Sequence, residues 1–277
     1  MNDSSQGSAG GGVATAQRYA PTVRPPGFTS RIGAVWYRHM RVYTKNIFSN
    51  ALPPFIEPLI FLAGIGLGLG AFITRMQGMP YIEFLATGLL ATSAMFTSAF
   101  EMTFGTYIRL EFDKIYDGML GTPLTAADLM FGEILWCGTK GAFFTASVMI
   151  MTTAFGALPF GWVWLSPLVG FGTGIMFAVL ALLVTTLVDN INNFNFFFSG
   201  MISPMFFFCG VVFPISKLPG WLKPVAEILP LTHPVRLIRG INSGLEWINL
   251  WDLAYMLLFS ILVGWWAIAR IRRRLID

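Results

Sequence analysis

An all-α integral membrane protein follows from three features of the chain, with six transmembrane helices, an N-terminal amphipathic interface helix and a re-entrant helical hairpin between spans 5 and 6. First, 55% of its 277 residues are hydrophobic and only 12% are charged, far more apolar than the usage of a soluble domain. Second, six apolar runs reach the roughly 20 residues that a helix needs to cross a bilayer, at about 52–73, 82–107, 129–156, 163–188, 194–213 and 250–269. Third, the basic residues gather at the ends of those runs and mostly on one side.

That side holds Arg18, Arg24, Arg31, Arg38, Arg41 and Lys45 before span 1, Arg109 and Lys114 after span 2, and Arg270, Arg272, Arg273 and Arg274 after span 6. The other side holds Arg75, Lys217, Lys223, Arg236 and Arg239. Positive flanks are retained in the cytoplasm, so an even number of spans predicts a multi-pass protein of the cell inner (cytoplasmic) membrane with both termini cytoplasmic. The same scatter leaves no basic patch interleaved with stacking aromatics, which argues against nucleic acid as a partner.

The chain opens MNDSSQGSAGGGVATAQ, with no charged region leading into an apolar core and a small-residue cleavage site. It is expected to stay attached rather than act as a secretory signal. Residues 1–27 are rich in Gly, Ser and Pro, cannot offset the entropy of ordering, and are expected to form a disordered tail. Over 28–49, Ile32, Val35, Trp36, His39, Tyr43 and Ile47 recur at helical spacing among Arg31, Arg38, Arg41 and Lys45. This predicts an amphipathic helix lying in the headgroup layer of membrane lipid. A merely solvated lead-in helix is the other reading, and Trp36 and Tyr37, residues favoured at interfaces, weigh against it.

Residues 50–277 form the membrane domain. Span 1 has a broken start, LPPFIEPL, and then Gly64, Gly66, Gly68 and Gly70 alternate, which permits close approach of another helix. The connection 109–128 uses about twenty residues where a few would do. In it, Glu111, Asp113, Lys114 and Asp117 precede Gly118 and a Gly121-Thr122-Pro123 break, and Thr125 to Asp128 reads as the capped start of span 3. The stretch is either a solvated loop or a short helix that docks on a partner.

Four ionisable residues fall inside the spans: Glu57, Glu101, Glu133 and Lys140. Each costs about 2.5–3.5 kcal/mol at a helix centre. Lys140 is expected to be neutralised by Glu101 or Glu133, unless the charges snorkel or face a wet cavity without specific partners. Span 5 carries Phe194, Phe197, Phe198, Met201, Phe206 and Phe207. These either pack toward lipid or line a substrate pathway along which a sugar face or acyl chain could slide. Beyond it, Phe213-Pro214, Leu218-Pro219 and Leu229-Pro230 punctuate two segments, about 217–229 and 232–243, too short to span. Their apolar residues, Trp221, Leu222, Val225, Ile228, Leu237 and Ile238, cannot be left in water. Residues 214–247 are therefore expected to dip into the membrane from the outer side and return.

No catalytic constellation is present. His39 and His233 fall on opposite sides of the membrane, there is no Gly-x-Ser-x-Gly, His-Glu-x-x-His or phosphate-loop motif, and no His, Asp or Ser cluster supports a membrane enzyme. Cys137 and Cys209 lack disulfide or metal-site spacing, so no metal is expected. If ATP is used, another chain binds it.

LPPFIEPLIFLAGIGLGLG, the E-x-x-x-x-x-x-G-x-L-G-T-P-L pattern from Glu111 to Leu124 with Gly132-Glu133 after it, and FCGVVFPISKLPGWLKPVAEILPLTHPVRLIRG together resemble the permeases of type-2 ABC exporters. The likeness is to the nodulation-factor export permease subgroup and runs from about residue 30 to near the end. It implies a half-transporter without cofactor of its own. Two such chains would form the pathway, and two separate ATPase subunits would bind ATP and Mg. Glu111, Phe112, Asp113, Lys114, Tyr116 and Asp117 would match the family's coupling helix. The amphipathic helix at about 29–46 would match its interface helix, and spans 1, 2 and 5 would line the pathway. The outer hairpin would cap the pathway as a gate, with Pro214, Pro219 and Pro230 fixing its turns and Trp221, Arg236 and Arg239 at headgroups or substrate; a rigid plug is the other reading. The implied cargo is an amphipathic or lipid-linked (oligo/poly)saccharide, a lipid or a drug-like molecule, moved outward. The competing function is a secondary transporter or channel without an ATPase, against which no convincing repeat of spans 1–3 in spans 4–6 weighs.

Overall fold

The structure is a computed structural model that describes residues 26–51, 56, 60–159 and 161–276. The expected tail, except its last two residues, lies outside them, as do Glu57 and most of the broken start of span 1. The first helix, α1 (Phe28–Lys45), buries Val35 and His39. It packs lengthwise on the later helix that starts after Thr125. Arg31 meets Asp128 and Phe28 meets Phe131, Val35 sits at Gly132, His39 reaches Glu133 and Trp136, and Tyr43 reaches Trp136 and Phe143. The helix therefore runs alongside that partner for most of its length. A Cβ on Gly132 would fall 2.5 Å from Val35 Cβ, so the missing side chain is what lets the two backbones close up.

After a helical segment, Leu62–Leu67 continued by Gly68–Gly70, a tight two-stranded turn pairs β1 (Arg75–Met76) with β2 (Met79–Pro80). Gln77 and Gly78 turn it at positive φ. Pro80 then leads into α2 (Tyr81–Phe112). Two turns of α2 widen to π-helical spacing, Glu101–Gly105 and Ile108–Phe112. The helix thus runs past the 82–107 expected from the sequence, and Arg109, Glu111 and Phe112 belong to its last turn rather than to the connecting loop. The short α3 (Ile115–Leu120) follows, entered through Lys114 in the left-handed region. Next come α4 (Ala126–Ala154) and α5, the continuous Trp162–Thr185. A capping box starts α4: Thr125 Oγ1 accepts from the Asp128 amide while Asp128 Oδ2 accepts from the Thr125 amide.

The helical run α6 is made of Phe194–Phe197, Phe198–Ile202 and Ser203–Phe208 without a break. It ends where Gly210 turns the chain at φ +83°, short of the roughly 20 residues of a full crossing. The proline-punctuated stretch forms a 3-10 turn, Ile215–Lys217, then α7 (Leu222–Ile228) and α8 (Thr232–Ser243). Pro224 and Pro234 fall in the first turns of these two helices, where a missing N–H costs nothing. The last helix, α9 (Trp247–Ile276), completes the chain.

Among the described residues four helices are long and apolar enough to cross a membrane: Tyr81–Phe112, Ala126–Ala154, Trp162–Thr185 and Trp247–Arg274. At the centre, α2, α4 and α5 pack on one another, with α9 laid against α5. The apolar stretch of α2 is 78% buried and that of α9 only 22%, so α9 turns most of its apolar surface away from the chain, as a lipid-facing helix does. The α4–α5 contact is made by glycines. A Cβ on Gly141 would lie 2.8 Å from the Gly170 carbonyl, and one on Gly174 the same distance from the Cys137 carbonyl. Small residues of this kind let membrane helices approach closely. Of the alternating glycines after span 1's start, Gly66 meets Ile82, while Gly64 and Gly68 face open space.

Candidate functional site

Two carboxylates, Glu133 fully buried and Glu101 partly so, organise the end of the bundle where α2 finishes. Glu133, on α4, is fully buried and receives three donors from three other elements. These are His39 Nε2 of α1 at 2.9 Å, Arg109 Nη2 of α2 at 2.8 Å, and the Tyr116 hydroxyl of α3 at 2.7 Å. A carboxylate only accepts, so the His39 nitrogen facing it carries its hydrogen. Glu101, on α2, takes Arg109 Nη1 at 2.9 Å and Lys140 Nζ at 2.8 Å. Arg109 thus bridges both acids, and of the two partners expected for Lys140 the chain uses Glu101.

Local geometry explains how these groups meet. Glu101 opens the first widened turn of α2, and a Cβ on Gly105 would come within 3.2 Å of both Glu101 Oε1 and Arg109 Nη1. The glycine leaves room for the pair. Aromatic walls enclose the site: His39 stacks on Trp136, and Lys140 Nζ lies over the Tyr43 and Phe144 rings. With two acids against Arg109 and Lys140, the formal charges cancel before His39 is counted, which is the condition for holding charge at this depth.

The residues expected on the short helix divide into two faces. The Tyr116 ring is buried, and burial beside the Glu133 charge pushes its phenol well above the ordinary range, keeping it a donor. Phe112, Asp113, Lys114 and Asp117 are exposed. Glu111 is not free: Arg274 Nη2 of α9 binds it at 3.0 Å, and Arg274 also donates to the Thr185 and Val188 carbonyls. So α3 is anchored inward by one ring while presenting charge outward.

The aromatic residues of α6 pack against those of α2 and against Phe61. Phe194 packs edge-on against Phe104 and Tyr107, Phe198 stacks on Phe100 at 4.2 Å, and Phe206 meets Phe61 and Phe96. Phe194, Phe197 and Phe206 are buried, Phe198 and Met201 partly so, and Phe207 is half exposed.

At the opposite end, α8 inserts between α2 and α9. Here Arg236 is bound by Asp252 at 2.7–3.0 Å and by Glu227 at 2.9 Å. His233 Nδ1 joins the same Asp252 at 2.8 Å, its ring stacked on Tyr255. Arg239 donates to Thr87 and to the Phe84 carbonyl, with its guanidinium 3.7 Å over the Phe84 ring. Pro214 and Pro230 are buried, whereas Pro219 and Trp221 are exposed. Among the described residues no group of His, Cys, Asp and Glu has metal-binding geometry.

Sequence reasoning missed Arg109 and His39 as partners of Glu133, because nothing local joins positions 94 and 24 residues apart. A signal was available for the glycine contact: Gly170-x-x-x-Gly174 has the small-residue spacing of helix interfaces.

Residues 30–242 match the sequence family described as ABC-2 type transporter. Similar proteins include Nodulation protein J of Rhizobium leguminosarum bv. trifolii, 34% identical over 79% of this chain and 84% of that protein. Nodulation protein J of Sinorhizobium fredii is 35% identical over 74% and 79%. That of Bradyrhizobium diazoefficiens is 33% identical over 88% and 93%.

Proposed function

The chain belongs to the ABC-2 type transporter family, and from that premise we propose that it is the permease subunit of an ATP-driven exporter, paired with a second copy of itself and powered by two separate ATPase subunits that bind ATP and Mg. The family's permeases are membrane subunits and not themselves catalytic. In this reading the chain crosses the inner membrane six times, span 1 and α6 together with the residues flanking α6 supplying the crossings beyond the four long helices. Both termini and α3 face the cytoplasm, and α7 and α8 form a re-entrant hairpin at the outer mouth.

The observation that carries the reading is the two-sided construction of α3. Its outer side at Asp117, with Phe112, Asp113 and Lys114 in the turn that leads into it, is exposed for a partner to contact. Its inner face holds Tyr116 on Glu133, and through Arg109 on Glu101 and Lys140. A displacement of α3 by a closing ATPase pair therefore pulls on α1, α2 and α4 together. Packed, hydrogen-bonded elements of this kind shift between discrete arrangements rather than deform gradually. The α2–α6 aromatic seam is where the two spans nearest the pathway meet. Its exposed edge at Phe196, Phe207 and Phe208 supports an amphipathic or lipid-linked saccharide, lipid or drug-like cargo, since rings accept such surfaces without a fixed hydrogen-bond register. Co-purification with an ABC ATPase expressed alongside it tests the proposal. A tagged permease that brings down the ATPase supports it, and one that carries substrate in vesicles without any ATPase establishes the secondary-transporter reading instead.

A further inference from the structure

An open groove of about 830 Å³ runs between α1, α4, α5 and α9 toward the end of the bundle where α2 finishes. Its walls are apolar, with Ile32, Phe131, Ile134, Val179, Ile261 and Trp265 prominent, and only two polar side chains line it. One, Ser260, donates to the Met256 carbonyl of its own helix, so it asks nothing of an occupant. The other, Arg272, is exposed and has no carboxylate partner among the described residues. Its neighbour Arg274 is held by Glu111 and two carbonyls.

The dimensions fit one class of molecule. From Leu257 to Arg272 the groove follows α9 for about 22 Å at 1.5 Å per residue, while half of a bilayer's hydrocarbon core is about 15 Å. A molecule with an anionic group at Arg272 could lay a whole acyl chain against Ile261 and Trp265 before reaching the mid-plane. A non-helical peptide segment would bring backbone donors and acceptors to walls that offer no free partner for them, and a helix would leave Arg272 without an anion. On the reading of α9 as a membrane span, we propose that this groove binds one anionic phospholipid of the leaflet at the Arg272 end, its phosphate on the Arg272 guanidinium and one acyl chain along α9.

The test uses the full chain reconstituted in phosphatidylcholine bilayers and doped, at equal mole fraction, with phosphatidylglycerol or phosphatidylcholine carrying brominated acyl chains. Trp265 fluorescence, taken as the difference between the wild type and Trp265→Phe, reports occupancy of the groove. Brominated phosphatidylglycerol should quench it with about fivefold higher apparent affinity than brominated phosphatidylcholine, the preference that one arginine at an anionic headgroup provides. Arg272→Gln should abolish that preference, and Arg270→Gln, which removes an equal charge outside the groove, should retain it. Equal quenching by both lipids in the wild type would reduce the groove to ordinary lipid contact. Equal loss in both arginine variants would mean diffuse attraction to a basic tail, and absence of quenching by either lipid would mean that protein fills the groove; each of these outcomes overturns the proposal.

Discussion

Replacing Glu133 with glutamine keeps the shape of the side chain and removes its charge, so it measures what the buried cluster is worth. Three donors converge on two oxygens in the native chain, His39 Nε2 and the Tyr116 hydroxyl on Oε1 and Arg109 Nη2 on Oε2. A carboxamide keeps one acceptor. If its oxygen retains His39 and Tyr116, its NH2 group faces Arg109, donor against donor. The Arg109 bond, about 2 kcal/mol for a charge-assisted contact, is then lost, and the other two each fall by about 1 kcal/mol to neutral strength. The expected destabilisation is about 4 kcal/mol, within the range for breaking a buried ion pair. Lys140→Met supplies the contrast. Glu101 keeps Arg109, and both side chains of the Lys140 pair retain some solvent, at 17% and 15% exposure, so about 1–2 kcal/mol is expected. Equilibrium urea unfolding of the purified chain in detergent micelles measures both. A Glu133→Gln loss below about 1 kcal/mol, the value of an exposed pair, or one no larger than that of Lys140→Met, would refute the assignment of Glu133 as the centre of the cluster.

Tyr116→Phe removes the hydroxyl that joins α3 to Glu133 and should cost about 1.5–3 kcal/mol. Because the folded chain raises the phenol's pKa, that contribution is fully present below the unfolded value of about 10 and declines as pH rises beyond it; a wild-type-minus-variant difference that already falls between pH 7 and 9 would contradict this. Gly174→Ala drives a methyl group to 2.8 Å from a backbone carbonyl on α4, and should lower stability by about 1–3 kcal/mol. Gly200→Ala, a helical position where nothing lies within 4 Å, serves as the control that should hold or raise the unfolding midpoint. Thr125→Ala dissolves the capping box of α4 at a cost of about 1 kcal/mol, and an unchanged unfolding midpoint would show that the box contributes nothing.

What the sequence made legible was local. The proline spacing that punctuates 217–229 and 232–243 announced α7 and α8, because proline restricts both its own φ and the residue before it. Thr125 and Asp128 announced the start of α4, three residues apart and facing each other across one turn. The short helix after α2 was visible between its charges and the Gly-Thr-Pro break. What stayed hidden depends on the approach of distant elements. His39 looked like an isolated residue on an amphipathic helix, and only Gly132 letting Val35 close in brings it to Glu133. Arg236 was expected near headgroups or substrate, and its pairs with Glu227 and with Asp252 of α9 were not legible. Tyr116 and Asp117 are neighbours in sequence, yet one is buried and the other exposed, a phase that six residues are too few to fix by periodicity.

The central claim is that α3 passes the work of a separate ATPase into this chain. ATP hydrolysis by the co-expressed ATPase, measured in proteoliposomes with the wild-type permease and with Asp113→Lys/Asp117→Lys, tests it most directly, since both carboxylates are exposed and neither bonds within the chain among the described residues. The account predicts that the wild-type permease stimulates hydrolysis and that the charge-reversed variant inserts normally but does not stimulate. Undiminished stimulation by the variant would contradict it.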